Sequence, residues 1–340
     1  MKNKKWIALA AAVVLAVTAL PMGVFAAKKD STEEKLTKVT LNEVAHSIFY
    51  APQYVAIEEG YFAEKGLDLT LVTGFGADKT MTAVISGEAD IGFMGAEASV
   101  YAYQEGATDP VVNFAQLTQR AGNFLVAREE MPDFKWEDLK GEKVLGGRKG
   151  GMPEMVFEYI LKKNGMDPQK DLTIDQSIDF GSTAAAFTSD DSAAYTVEFE
   201  PSATILEKDG AGYVVASLGE ASGYVPYTSY STKASYMKEN PEIIQKFTDA
   251  LQKGMDYVQN HTPEEIAEVI APQFKETDLE TITAIVKRYY DQDTWKENLI
   301  FEKDSFELLQ DILEDAGELT DRTAYENLVQ TEYAQKACKN

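Results

Sequence analysis

The sequence predicts an α/β protein of two doubly wound lobes, joined by a hinge and separated by a cleft. Three observations carry this. Residues 39–95 alternate strand, helix, strand, helix and strand with almost no spare residues. A second alternation runs over 143–217. The passages at 120–123 and 219–230 read as crossings between the two parts, and two crossings make a hinge. Such alternation implies a parallel sheet with helices on both faces. Ligands of such sheets sit beyond the carboxyl ends of the strands.

The first strand is the apolar run 39–44. Pro52 opens a helix over 53–59, because proline is tolerated in the first helical turn, and Gly60 stops it. Tyr61 and Phe62 pack it down, Gly66 turns the chain, and 67–72 alternates as a strand. Gly74, Phe75 and Gly76 form a loop before a helix over 78–86, which Gly87 ends; 91–94 is a buried strand. The loops at 46–51, 74–78 and 95–99 should then line one side of a binding site. A helix at 96–104 and a strand at 111–117 follow, and the strand at 124–127 opens the second lobe. There a helical turn at 136–140 and a strand at 143–145 lead to a helix over 154–163. Pro153 starts that helix and Gly165 stops it. Its Met155, Val156, Tyr159 and Ile160 share one apolar face. Strands at 172–174, 193–197 and 213–217 complete the lobe. From Pro241 the signal is mostly helical, at 242–259, 263–270, 279–289 and 305–316. The predicted organisation is a targeting segment at 1–26, a linker at 27–36, a first lobe from 37–123 and 229–340, and a second lobe from 124–228.

Pro52, Val55-Ala56, Gly60-Tyr61-Phe62, Gly66-Leu67 and then Gly87-Glu88-Ala89-Asp90-Ile91-Gly92 resemble the solute-binding proteins of ABC importers. The most similar branch handles sulfonates, nitrate, taurine and thiamine pyrimidine precursors. Similarity continues through Trp136-Glu137-Asp138-Leu139-Lys140-Gly141 and the Pro201 region to Trp295. The resemblance implies the type II periplasmic-binding-protein fold, capture of a small molecule by cleft closure, and permease and ATPase subunits as partners.

Composition narrows the function classes. An apolar share of 44% with 16 Phe and 17 Tyr is that of a folded protein. A net charge of −24 repels phosphate backbones and anionic headgroups, so nucleic acid is not an expected partner and the chain reads as a self-repelling monomer. Lys2, Lys4 and Lys5 followed by the apolar run 6–20 and the small-residue pattern Val24-Phe25-Ala26 form a secretory signal. The expected location is therefore extracytoplasmic, in a periplasm or at the outer face of the membrane. Gram-positive members of the family usually carry a lipid-modified cysteine after the apolar run. Here the one cysteine is Cys338, which puts a lipid anchor in doubt and excludes an intrachain disulfide.

Candidate ligand contacts gather at the predicted strand ends. The glycine-rich loop 146–153 opens a helix, so Gly150, Gly151 and Met152 could present backbone N–H groups to an anionic or carbonyl group. It is not a Walker loop, since no Gly-Lys-Ser/Thr follows. Phe49, Tyr50, Phe75, Phe199 and Tyr227 could stack on a planar ligand, with Gly76 and Gly95 in the adjoining loops. Glu97, Glu198 and Glu200 could accept hydrogen bonds from amino groups; the last two flank Phe199 and should point to the same side. His46 follows the first strand and could touch ligand, whereas His261 reads as a helix-boundary residue. Two isolated histidines make no recognisable metal site, and no Gly-x-Ser-x-Gly elbow is present. No catalytic residue, metal or cofactor is expected.

The leading expectation is a binding protein for a small aromatic heterocycle such as a pyrimidine vitamin precursor, with an organic sulfonate or nitrate as the alternative. A thiamine-pyrimidine synthase shares the fold, but that family uses a cysteine-rich iron-binding motif, which a lone Cys338 does not supply. A sensory module would need a transmembrane or signalling segment after the C-terminal helices.

Overall fold

A computed structural model describes residues 36–178 and 180–339. The expected targeting segment, with most of the linker, lies outside the described residues. Among the described residues, ten strands form two five-stranded sheets. The first holds β1 (Thr37–Glu43), β2 (Leu67–Thr73), β3 (Ile91–Gly95), β4 (Val111–Thr118) and β10 (Thr228–Lys233), in the order β2-β1-β3-β10-β4. The second holds β5 (Asn123–Ala127), β6 (Lys143–Leu145), β7 (Thr173–Asp175), β8 (Tyr195–Phe199) and β9 (Tyr213–Ser217), in the order β7-β6-β8-β5-β9. The two orders are the same pattern.

Each sheet is mixed, which corrects the expectation of parallel pairing throughout. β1 runs parallel to β2 and β3, but β10 is antiparallel to both its neighbours, as β5 is in the second sheet. The reason is where the crossings enter. Thr228 pairs with Gly95 and Thr118, and Asn123 with Phe199, so each arriving strand starts at the carboxyl ends of its neighbours. A strand that enters at that edge must run the other way. Both crossings therefore leave and arrive on the carboxyl side of the two sheets.

Helices α1 (Ala51–Glu58), α2 (Tyr61–Glu64), α3 (Ala77–Ser86) and α4 (Glu97–Gln104) link the first strands. Pro52 sits in the first turn of α1, and Gly87 closes α3 in the left-handed region at φ +81°. In the second sheet, α5 (Met152–Lys163), α6 (Thr183–Ser189), α7 (Ser202–Lys208) and α8 (Leu218–Ser222) do the linking. The short α6, α7 and α8 are too brief to show a helical period in sequence. Next come α9 (Ala234–Glu239) and α10 (Pro241–Asn260), which buries Ile244, Phe247, Leu251, Met255 and Val258 along one face against the first sheet. α11 (Pro263–Ile270), α12 (Leu279–Asp291), α13 (Lys303–Asp315), α14 (Tyr325–Leu328) and α15 (Glu332–Ala337) complete the chain. Thr262 and Glu265 form a capping box on α11.

The C-terminal helices touch both sheets. Arg288 of α12 pairs with Glu200, just before α7, at 2.6 Å and with Glu207, within α7, at 2.9 Å. The end of α12 also braces the crossing after β4. The Tyr289 hydroxyl donates to the Gly122 carbonyl at 2.8 Å, and Gln292 Nε2 to Ala121 at 3.2 Å. The two crossings bond each other through Val225 N–H to Gln119 O at 2.9 Å.

Candidate functional site

Where the carboxyl ends of the two sheets meet, a layer of rings fills the junction. The Phe49 ring is fully buried, with centroids 5.1 Å from Tyr50, 5.6 Å from Tyr227, 5.2 Å from Tyr289 and 6.1 Å from Phe199. A Cβ added at Gly122 would lie 2.6 Å from the Phe49 ring, so the first crossing must carry glycine there. Trp295 fixes the same residue by donating its Nε1–H to the Phe49 carbonyl at 2.8 Å. Phe49 is thus a pillar between lobes. Tyr50 packs edge-on against Phe93 at 4.5 Å, and burial raises its hydroxyl far above the usual range. Phe199 is half-buried, 6.5 Å from Tyr227.

Glu97 heads α4 and is only 3% exposed. Its carboxylate folds back over Gly95, where a Cβ would lie 2.0 Å from Oε2. Burial pushes the group up to about 7, opposed by its own N–H and the Met152 N–H at the start of α5. A first-lobe acid therefore sits at the N-terminus of the helix that the glycine-rich loop opens. Gly151 is that helix's N-cap residue, and the Gly150 carbonyl accepts the Tyr101 hydroxyl at 3.0 Å. Arg148 lies 3.7 Å from Asp78, and Lys149 3.3 Å from Glu318. These contacts span a groove of about 930 Å³ lined by Asp78, Met81, Glu97, Tyr101, Arg148 and Gly150, among others.

Several buried polar atoms at this junction have no hydrogen-bond partner among the described residues: Glu97 Oε2, both Asn123 Nδ2 and Oδ1, and the Tyr227 hydroxyl. Others of that kind lie on Arg120, in the same crossing as Asn123, and on Gln116, Ser231 and Gln245. An unmet buried donor or acceptor costs about 1–3 kcal/mol, so four together call for an explanation.

The remaining predicted contacts take other places. His46 is tied down: Nε2 faces the Gln273 carbonyl at 2.9 Å, which only accepts, and Nδ1 faces Glu43 Oε1 at 2.8 Å. The Glu43 bond holds its pKa above the usual value. Its ring stacks on Phe274 at 4.8 Å. Phe75 is 76% exposed at φ +58°, a left-handed conformation unusual for a bulky residue. The adjacent Gly76 N–H donates to the Val44 carbonyl at 3.0 Å. Glu198 and Glu200 do not share a setting, because β8 ends at Phe199 and Glu200 lies beyond it. Glu198 accepts from Thr196 Oγ1 at 2.6 Å and is pushed up to about 7 by burial. Glu200 caps the start of α7 through Thr204 N–H at 2.9 Å and meets Arg288. His261 stacks on Tyr257 with centroids 3.6 Å apart. Sequence reasoning missed Asn123, which it read only as part of a crossing. A carboxamide at the mouth of an apolar strand was the available signal.

The site's chemistry is recognition by donors, acceptors and ring faces. Among the described residues, no three His, Cys, Asp or Glu side chains are grouped to hold a metal.

A family model described as "NMT1/THI5 like" matches residues 48–266. YtlA of Bacillus subtilis (strain 168), named for binding with no ligand stated, is 47% identical over 312 residues, 92% of this chain and 93% of that protein. The riboflavin-binding protein RibY of Chloroflexus aurantiacus is 25% identical over 236 residues, covering 68% of this chain and 65% of that one. Among solved structures, the alkanesulfonate-binding protein SsuA of Xanthomonas axonopodis pv. citri, bound to MOPS, superposes with a TM-score of 0.69 at 15% identity. That match covers 86% of this chain and 98% of the other.

Proposed function

The chain belongs to the NMT1/THI5-like family, and on that premise we propose that it is a solute-binding protein of an ABC importer. It would capture a small planar heterocycle, of the pyrimidine or thiamine-precursor kind, and hand it to a permease and its ATPase. The observation that carries this reading is the charge pattern of the junction. Glu97 occupies the N-terminus of α5, where an anionic ligand would otherwise be held. Arg148, Lys149 and Arg288 are each paired with an acid. A ligand with ring faces and N–H donors suits the half-buried Phe199 ring, beside which the buried Tyr227 ring lies at 6.5 Å. The riboflavin-binding relative is in keeping with such a ligand. Capture needs contacts from both lobes, because a ligand shifts an open–closed balance only by binding the two states differently. No turnover is required of such a protein. The basic start and apolar run of the N-terminus support action outside the membrane, and no helix among the described residues is long and apolar enough to cross one.

An organic sulfonate is the second reading. Arg148 favours it, since its half-exposed guanidinium is only loosely held by Asp78 at 3.7 Å and could swing to an anion. Native mass spectrometry of protein purified from cells would identify a resident molecule. Calorimetry would then compare 4-amino-5-hydroxymethyl-2-methylpyrimidine, riboflavin and methanesulfonate. The heterocycles are expected to bind; binding of methanesulfonate alone would install the second reading, and conversion of any probe to product would end the assignment as a binder.

A further inference from the structure

We propose that Asn123, Tyr227 and Glu97 form a recognition triad that selects a heterocycle presenting a hydrogen-bond donor beside an acceptor, together with a further donor. This rests on the reading of the interlobe junction as a solute site. Asn123 and Tyr227 stand at the ends of the two crossings, and Glu97 just past the carboxyl end of β3. They are 0%, 2% and 3% exposed. Register brings them together. Thr228, next to Tyr227, pairs with Gly95, over which the Glu97 carboxylate folds. Asn123 pairs with Phe199, whose ring is 6.5 Å from that of Tyr227.

The unmet atoms specify the complement. A carboxamide presents an N–H next to an oxygen. Its partner is an acceptor next to a donor, as in a lactam, an amidine or an aminopyrimidine edge, the pairing by which Asn reads adenine. Ionised, Glu97 offers only acceptors, so its unmet Oε2 then calls for a second N–H or amino group. Tyr227 can serve as donor or acceptor. A sulfonate or nitrate offers acceptors alone. With Glu97 ionised, it would leave Asn123 Oδ1 and Glu97 Oε2 unmatched and set its charge against a carboxylate.

The test uses the whole chain and the variants Asn123→Asp, Asn123→Leu, Glu97→Gln and Tyr227→Phe. Calorimetry would be run with 4-amino-5-hydroxymethyl-2-methylpyrimidine, cytosine and methanesulfonate, beside native mass spectrometry of what co-purifies. At least one pyrimidine should bind the wild type. Both Asn123 variants and Glu97→Gln should weaken it about tenfold or more, and Tyr227→Phe several-fold. The ligand-free Asn123→Leu and Tyr227→Phe proteins should melt no lower than wild type, because neither loses a protein hydrogen bond; a merely structural role would lower the melting temperature. Wild-type affinity in the Asn123 and Glu97 variants would overturn the triad while leaving the solute-binding reading intact. A co-purifying molecule with no donor beside an acceptor would overturn it too, as would binding of methanesulfonate alone. If nothing co-purifies and no probe binds, the solute-binding reading itself fails.

Discussion

In the first sheet, β1 and β2 run seven residues and β4 eight, and β1 ends on Glu43, whose carboxylate receives Gln53 Nε2, the Tyr54 hydroxyl, Thr73 Oγ1 and His46 Nδ1. In the second, β6 and β7 run three residues each. There Glu200 meets Thr204 and Arg288, but Glu154 and Glu198 face fewer donors. Glu154 on α5 meets Gly150 N–H at 3.2 Å and Gln176 at 2.6 Å but also confronts Glu158, and burial with that neighbour pushes it up to about 8. One strand order thus supports two kinds of interior. The first lobe is long-stranded, covered by α10, and its buried Glu43 is fully satisfied, whereas Glu97 at the junction keeps Oε2 unmet. The second is short-stranded, with acids that titrate near neutrality. Identical topology does not imply identical rigidity or pH response; the donors around each buried charge decide that.

The largest expected contrast is between two phenylalanines at the junction. Phe49→Ala removes the fully buried pillar and should cost about 3–5 kcal/mol in denaturant unfolding. Phe199→Ala, at the half-buried end of β8, should cost clearly less stability and instead weaken heterocycle binding by about tenfold. Equal stability losses would erase the distinction.

The carboxylates come next. Glu43→Ala strands four donors and should destabilise by about 3 kcal/mol. Glu198→Gln replaces an acid already poised to be neutral and should cost less than about 1 kcal/mol. Urea unfolding at pH 7 compares the two, and a larger loss for Glu198→Gln would reverse the assignment of lobes.

A pH series sharpens the same point. Glu154, Glu198 and Glu97 have folded values above the unfolded one, so the native state binds more protons between the two. Their contribution is complete below about 4.5 and is lost as pH rises through about 7 to 8. His46, also raised, contributes below its unfolded value of 6.5 and is lost as pH climbs through its folded value. Stability should therefore decline from pH 5 to pH 9. Glu154→Gln should remove about 1–2 kcal/mol of that slope. A slope unchanged in Glu154→Gln would mean that Glu154 does not carry it.

The smallest effect belongs to the groove. Arg148 and Asp78 are both substantially exposed, so Asp78→Asn should change stability by no more than about 1 kcal/mol. Small-angle scattering should show a slightly more extended ligand-free protein, because the pair links the two lobes. Unchanged dimensions would show that Tyr101 and Lys149 hold closure without it.

Much of the fold was legible. Pro52, Gly60 and Gly87 mark element ends because their backbone preferences act locally, and the apolar period of α10 is a property of sequence alone. Illegible were the antiparallel strands and the short α6 and α7, whose form follows from where the chain enters a sheet. The site was half legible. Ring-bearing and acidic residues near strand ends could be named, but not that His46 spends both nitrogens on Glu43 and Gln273, nor that Glu200 caps α7.

By itself the sequence determined the alternation of strands and helices, the two crossings and the residue types available at strand ends, because period, turn chemistry and charge are local quantities. Only the tertiary structure decided which polar groups are paired. That outcome depends on neighbours the fold brings together, as when Tyr289, 167 positions further along the chain, takes the Gly122 carbonyl while the adjoining Asn123 keeps both amide atoms unmet.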